Sequence, residues 1–287
     1  MKSNYFSNKV VLISGSSMGI GKAIARELAQ QGVKVILNGR DSIKLQRSET
    51  EFLDMGYEVF GVVADIRYPE QCDFLIREAV NRYGRLDILV NNAAMSSRGS
   101  IEHSADKNFS VLSETNYTGA AHLSKYAIPH LKETKGHIIF INSAGGFRGM
   151  PYNVAYSASK LAQAALADAL RIELYGYGIH VGIAFVGFTR NDPKKTILDV
   201  NGSLVYLPKR DNIHLASPQS VAKHIGSMIV RRKNKITLTG LGRFANFTFR
   251  YLPWLGNWLL IRTRKKIQKD FTLIGGVPVL EEVPIHE

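Results

Sequence analysis

Three residues in the middle of the chain have the types and the spacing to move a proton. Ser143 stands 13 residues before Tyr156, and Lys160 follows four residues later in the run YSASK. A spacing of four puts Tyr156 and Lys160 on one face of a helix. The apolar pattern continues through LAQAALADALRIEL, which predicts a helix over about 153–175. Pro151 and Asn153 suit its start, and Gly176 or Gly178 its end. Reducing a ketone takes a hydride donor, a proton donor and a polarised carbonyl. A free tyrosine, with a pKa near ~10, is a poor base at neutral pH. A cation about 5 Å away, at an effective dielectric near ~20, is worth roughly 3 kcal/mol and lowers that pKa by around two. Lys160 can supply this field, and Ser143 can hold a substrate oxygen beside the tyrosine hydroxyl. Singly, the three have plain alternatives: a surface ring, a solvated charge, a turn residue. As a set they form a candidate proton-transfer centre.

The hydride donor has its own signature. The run SGSSMGIG, residues 14–21, falls between an apolar strand pattern and a helical one. Glycines permit a tight turn and close approach of backbone to phosphate, and the helix start offers free N–H groups to a pyrophosphate. Gly15, Ser16, Ser17, Gly19, Ile20 and Gly21 are the candidate cradle. The second strand pattern ends in Asn38-Gly39-Arg40, with no acid to pair with the ribose hydroxyls of NAD. Arg40 is suited to a 2′-phosphate instead, which favours NADP(H) over NAD; the plain alternative is an arginine facing water.

These residues need a frame that brings them together. Short runs rich in Val and Ile fall at 9–15, 34–40, 58–65, 86–93, 136–143, 180–187 and 235–240. Continuous apolar runs of this kind suit strands buried on both faces. Helical patterns lie between them; the first, at 19–31, lines up Ile20, Ala23, Ile24 and Leu28. The expectation is a single α/β domain, a doubly wound Rossmann-type parallel sheet of about seven strands with helices on both faces. Its ligand crevice should lie at the carboxyl ends of the strands. Residues 1–242 would form this catalytic domain, with a polar substrate loop at 188–217, and 243–287 an aromatic and basic extension.

The glycine spacing and the Ser…Tyr-x-x-x-Lys set together resemble the short-chain dehydrogenase/reductase family, over about residues 8–240. The family writes its turn TGxxxGIG; Ser14 here keeps the hydroxyl of the first Thr. Asn91-Asn92-Ala93-Ala94 resembles the family's NNAG, with Ala94 in place of Gly. By this resemblance Asn92 and Ala93 support the cofactor, and Asp65 and Ile66 lie beside the adenine, unless Asp65 is only a strand-end cap. Asn116 becomes the fourth catalytic residue, organising a water that relays protons to Lys160. Tyr156 and Lys160 also contact the cofactor, and Thr189 and Asn191 lie beside the nicotinamide. Some members carry a second basic residue within the turn; here that place is Met18, so selectivity leans on Arg40 with help from Ser16. Val186-Gly187 replaces the usual Pro-Gly, which leaves the course of that loop open. The helices near 109–132 and 153–175 imply a homodimer or homotetramer.

The chain carries a net charge of +13, of which +10 lies in residues 188–287. No nucleic-acid motif accompanies it, so no nucleic-acid partner is expected. One cysteine excludes an internal disulfide, and the N-terminus has no apolar leader before a cleavage site. The expected setting is the cytoplasm or the cytoplasmic face of a membrane. Residues 243–261, RFANFTFRYLPWLGNWLLI, are too short and polar to span a bilayer. Followed by RTRKK, they suit a peripheral membrane contact over 243–269; a pocket lid or a dimer-packing helix is the equal alternative. Both imply an apolar environment near the substrate entrance, and the expected substrate is a small lipophilic carbonyl or alcohol: a steroid, retinoid, keto-lipid or xenobiotic carbonyl. An acyl-carrier-protein ketoacyl reductase and a non-catalytic NADP-binding scaffold are the competing readings.

Overall fold

The computed structural model describes residues 4–190, 192–207 and 215–272. Asn191, part of the expected substrate loop and residues 273–287 of the extension therefore lie outside the described residues. All seven expected strands form: β1 Val10–Ile13, β2 Lys34–Gly39, β3 Val59–Val63, β4 Ile88–Asn91, β5 His137–Ser143, β6 His180–Val186 and, after a hairpin, β9 Lys235–Thr237. They make one parallel sheet in the order β3-β2-β1-β4-β5-β6-β9. The order reverses between β1 and β4, and that switch point opens a crevice at the strands' carboxyl ends.

Both faces of the sheet are apolar, which is why its strands do not alternate polar with apolar. Val10 and Leu12 of β1 point into one core, Val11 and Ile13 into the other. The first core is closed by α3 Pro69–Tyr83, α5 Gly119–Thr134 and α6 Val154–Glu173, through Leu75, Leu123 and Ala167 among others. The second is closed by α1 Gly19–Ala29, α2 Ser42–Asp54 and α7 Pro218–Val230, through Ile24, Phe52 and Ile225.

Two features lie outside the alternation. The stretch read as a polar insertion holds an antiparallel hairpin, β7 Thr196–Leu198 with β8 Leu204–Tyr206. Ile197, Leu198 and Val205 are buried, and the turn uses Gly202 at φ +80° with Asn201 accepting from the Ser203 amide. The hairpin is stitched to the segment after β4: Leu198 N donates to Ser96 O, and Asn108 of α4 Asp106–Ser113 donates to Asp199 O. At the other end, α8 Gly240–Tyr251 begins directly after β9, capped by Thr239, so a boundary at 242/243 would cut through a helix. It is followed by α9 Pro253–Thr272. The pair packs on the turn after β5, where Arg148 donates to Asn257 and its guanidinium lies over the Phe249 ring. Among the described residues no helix is long and apolar enough to cross a membrane.

Candidate active site

The turn between β1 and α1 is built for close approach. Gly15 has φ +63°, and a Cβ there would lie 2.9 Å from the Ala93 backbone. At Gly21 a Cβ would run into the Asn92 side chain and the Gly15 carbonyl. The end of β4 supports this turn from beneath. Asn92 Nδ2 donates to the Ser14 and Gly15 carbonyls, and the Asn92 and Ala93 amides donate to Ser14 Oγ. The hydroxyl kept at position 14 is therefore in use. Gly19, at φ +59°, has open space beside it, and no side chain caps the first turn of α1. The backbone thus leaves room and amides for a pyrophosphate, flanked by Ser17 and Ile20. Ser16 differs from expectation. It is fully buried, donates to Ile13 O and accepts from the Asn38 amide, so its hydroxyl braces the turn and does not reach a 2′-phosphate.

Arg40 ends exposed just past β2, its Nη1 3.7 Å from Met95 Sδ. Asp65, past β3, takes a two-pronged ion pair from Arg67. Burial works to raise the Asp65 carboxyl, but the Arg67 hydrogen bonds and the charges of Arg67 and Arg40 outweigh it and hold it below the usual range. Asp65 accepts from the Arg67 amide as well, so it also serves as the local cap that was its plainer reading. The Ile66 side chain belongs to the core. Arg67 is a second cation beside Arg40 that the motif reading missed; its only signal was its place two residues after Asp65.

The catalytic candidates converge at the end of β5. Ser143 Oγ accepts from the Gly145 amide, and the Tyr156 ring lies against Gly145, 3.4 Å from where a Cβ would stand. Gly145 is thus the spacer between serine and tyrosine. Lys160, one turn along α6, is 2% exposed. Its Nζ donates to Ile141 O at 3.0 Å and to Gln163 Oε1 at 3.2 Å. Burial, with Lys195 adding repulsion, pushes its ammonium down to about 7. Sequence reasoning treats Lys160 as a cation for its neighbour; in this dry setting the cation is itself only marginally held.

Asn116 sits in a π-helical turn, Glu114–Thr118, between α4 and α5. Such turns loosen the helical ladder and free backbone groups for other partners. The Asn116 side chain accepts from Met95 N and donates to Met95 O and Ser159 Oγ, tying the β4 loop to α6. Its main-chain carbonyl accepts Gln163 Nε2 at 2.8 Å. Asn142 completes the group, donating to Gln163 Oε1 and Lys160 O. Gln163 and Asn142 were not foreseen, although Gln163 falls at i+7 from Tyr156 and i+3 from Lys160 on the same helical face.

Past β6, Gly187 backs onto Thr239, where a Cβ would collide, so the chain turns without the proline. Thr189 is buried, bridges to Ala216 and gives its hydroxyl to Gly187 O, while Asn191 is outside the described residues. Ala94 is exposed, so its extra methyl crowds nothing.

A family model described as short chain dehydrogenase matches residues 9–200. "Dehydrogenase/reductase SDR family member 7B" of Danio rerio is 32% identical over 279 residues, covering 92% of this chain and 88% of that one. "11-beta-hydroxysteroid dehydrogenase A" of Arachis hypogaea is 37% identical over 182 residues, covering 63% of this chain and 51% of that one. A solved gluconate 5-dehydrogenase from Burkholderia cenocepacia, in complex with NADP and tartrate, superposes with a TM-score of 0.62 at 28% identity, over 64% of this chain and 73% of that one.

Proposed function

The chain belongs to the short chain dehydrogenase family, and on that premise we propose that it transfers a hydride between NADP(H) and the carbonyl or secondary alcohol of a small lipophilic substrate. One observation carries this reading: Ser143, Tyr156 and a wholly buried Lys160 meet at the end of β5, beside the switch-point crevice. The cofactor, when bound, supplies the hydride. The Gly15–Gly21 turn holds its pyrophosphate on backbone amides, with Asn92 and Ala93 fixing the turn from β4. Arg40 takes the 2′-phosphate, a choice supported by the NADP found in a solved relative. Asp65 and the Ile66 backbone border the adenine, and Thr189 the nicotinamide side. Ser143 orients the substrate oxygen; Tyr156 gives it a proton in reduction and takes one in oxidation; Lys160 favours the charged phenolate. Asn116 holds α6 and the β4 loop in register for this work. The scaffold reading is disfavoured by Lys160, since a dry cation costs stability and returns nothing without chemistry.

The extension supports the lipophilic part. Phe244, Phe247 and Tyr251 of α8 and Trp254, Trp258 and Ile261 of α9 are all exposed, and within each helix they recur every three or four residues, giving each an apolar stripe. Arg243, Arg250, Arg262, Arg264, Lys265 and Lys266 flank them, also exposed. An apolar stripe with cations on either side suits the interface of an anionic bilayer. Because the pair packs on the turn after Ser143, this contact would place the crevice next to the membrane. That favours a membrane seat over a lid and favours a lipid or steroid ketone over an acyl-carrier-protein substrate. A homodimer or homotetramer is supported by apolar groups exposed on or beside the α4–α6 helices, among them Tyr117, Leu161 and Ile172.

The test is the loss of NADPH absorbance with a panel of steroid, retinoid and long-chain ketones. Tyr156→Phe keeps the ring and removes the proton, so turnover should fall by about 10²–10⁴-fold with NADPH affinity retained. Near-normal turnover in that variant would overturn the assigned chemistry.

A further inference from the structure

Gln163 is a neutral amide buried with no exposure at all, at a helix position facing two other polar groups of the site. Its Oε1 accepts from Lys160 Nζ and from Asn142 Nδ2, and its Nε2 donates to Asn116 O. Three of its four hydrogen-bonding positions are thus spent on one cluster. A buried glutamine of this kind is costly unless fully paired, and here the pairing runs to the site's own lysine and asparagine.

Building on the proposed dehydrogenase reading, we infer that Gln163 is a positioning residue: its amide fixes the Lys160 ammonium and joins it to the Asn116 carbonyl. The role follows from chemistry. The amide oxygen favours the protonated lysine by accepting from it, without the full charge that a carboxylate would bring. The amide nitrogen donates to Asn116 and carries no proton onward, because an amide releases none near neutral pH. Lys160 is therefore held from the interior side and exchanges protons only toward the crevice. Few ionisable groups act on it. Tyr156 lies one turn earlier on α6, and Lys195, ahead of β7, repels it. From β5, Ile141 O accepts from its Nζ and Asn142 donates to its main-chain carbonyl; from the π turn, Asn116 O is joined to it only through Gln163.

The experiment uses the full chain and two readouts. The first is kcat/KM for NADPH against pH, whose limbs belong to the free enzyme. Gln163→Glu sets a carboxylate beside Nζ and should move the alkaline limb up by about one pH unit or more; Gln163→Leu should move it down by about as much. The second readout needs no cofactor: thermal stability of the unliganded protein between pH 7 and 10. Wild-type stability should rise over this window, because the unfolded chain binds a proton there that the folded Lys160 does not. Gln163→Glu should flatten that rise and Gln163→Leu steepen it. Gln163→Met keeps the side-chain length without either hydrogen bond, and substitutes for the Leu variant if that one fails to fold. Superposing profiles in both readouts would overturn the inference. Tyr156→Phe, assayed alongside, separates the two levels: a dead Phe variant with unmoved Gln163 profiles sinks only this proposal, while an active one sinks the reading beneath it.

Discussion

Arg40 and Lys160 show what single residues contribute and how far they can be read from their neighbours in sequence. The choice between two cofactors that differ by one phosphate rests, on the proposed reading, on the guanidinium that follows β2. Its exposure leaves it available, and Asp65 is kept from competing by its own pair with Arg67. Arg40→Asp should reverse or erase a preference for NADPH over NADH, measured as the ratio of the two dissociation constants. Equal affinities in the wild type would end the argument. Residue type and spacing singled out Arg40, Ser143, Tyr156 and Lys160 as candidates, and helix spacing alone put Tyr156 and Lys160 on one face; Asn116 came from the family resemblance. Type and spacing were not enough for Ser16, whose hydroxyl was assigned outward and points inward. Which way a small side chain in a turn faces depends on the strand beside it, here Asn38 of β2, and no local pattern reports that.

At the scale of elements, the opening residues of β5 and β6 carry a polar pair far from the crevice. His137 Nδ1 and His180 Nδ1 are 3.0 Å apart, and Tyr5 OH is 2.6 Å from His137 Nε2. The contact between the two rings needs one donor and one acceptor, so the accepting ring must be neutral and the two cannot both be charged. Burial, with repulsion from His180, Arg232 and Lys9, pushes His137 down to about 3; burial, with repulsion from Arg232 and Arg171, pushes His180 down to about 4 against a backbone hydrogen bond at Lys233. An unfolded histidine takes up a proton near pH ~6.5, so stability should be lost as pH falls from there through about 4. Replacing His180 with Gln removes one of these titrations. Its melting temperature should fall less steeply than the wild type's between pH 6.5 and 4.5; parallel slopes would refute the account. The strands themselves were plain in the sequence, since each is a continuous apolar run. The β7–β8 hairpin was not. Its strands are three residues each, too short for periodicity to register, and its Asn201-Gly202 turn sits among charges that suggested an unstructured loop.

The whole molecule pairs a sheet domain having both faces covered with a helical pair that leaves aromatic rings exposed. The domain's outline was legible because strand and helix periods alternate along the chain. The bare stripes were legible only as composition: aromatics and cations were visible in sequence, but their grouping on the faces of two helices, separated at Leu252-Pro253, required the helix bounds. Replacing Trp254 and Trp258 together with Ser should abolish co-sedimentation with anionic liposomes and leave the fold intact, as both rings are exposed. High salt should weaken wild-type binding, since part of the attraction is screened. Wild-type protein that stays in the supernatant at low salt would return the stripes to a role in subunit packing. A protein seated by such stripes draws its substrate from the bilayer and not from bulk water. Its saturation curve should then follow the ketone's mole fraction in the vesicle, so diluting substrate with inert lipid at fixed total concentration should slow turnover as competition in two dimensions would.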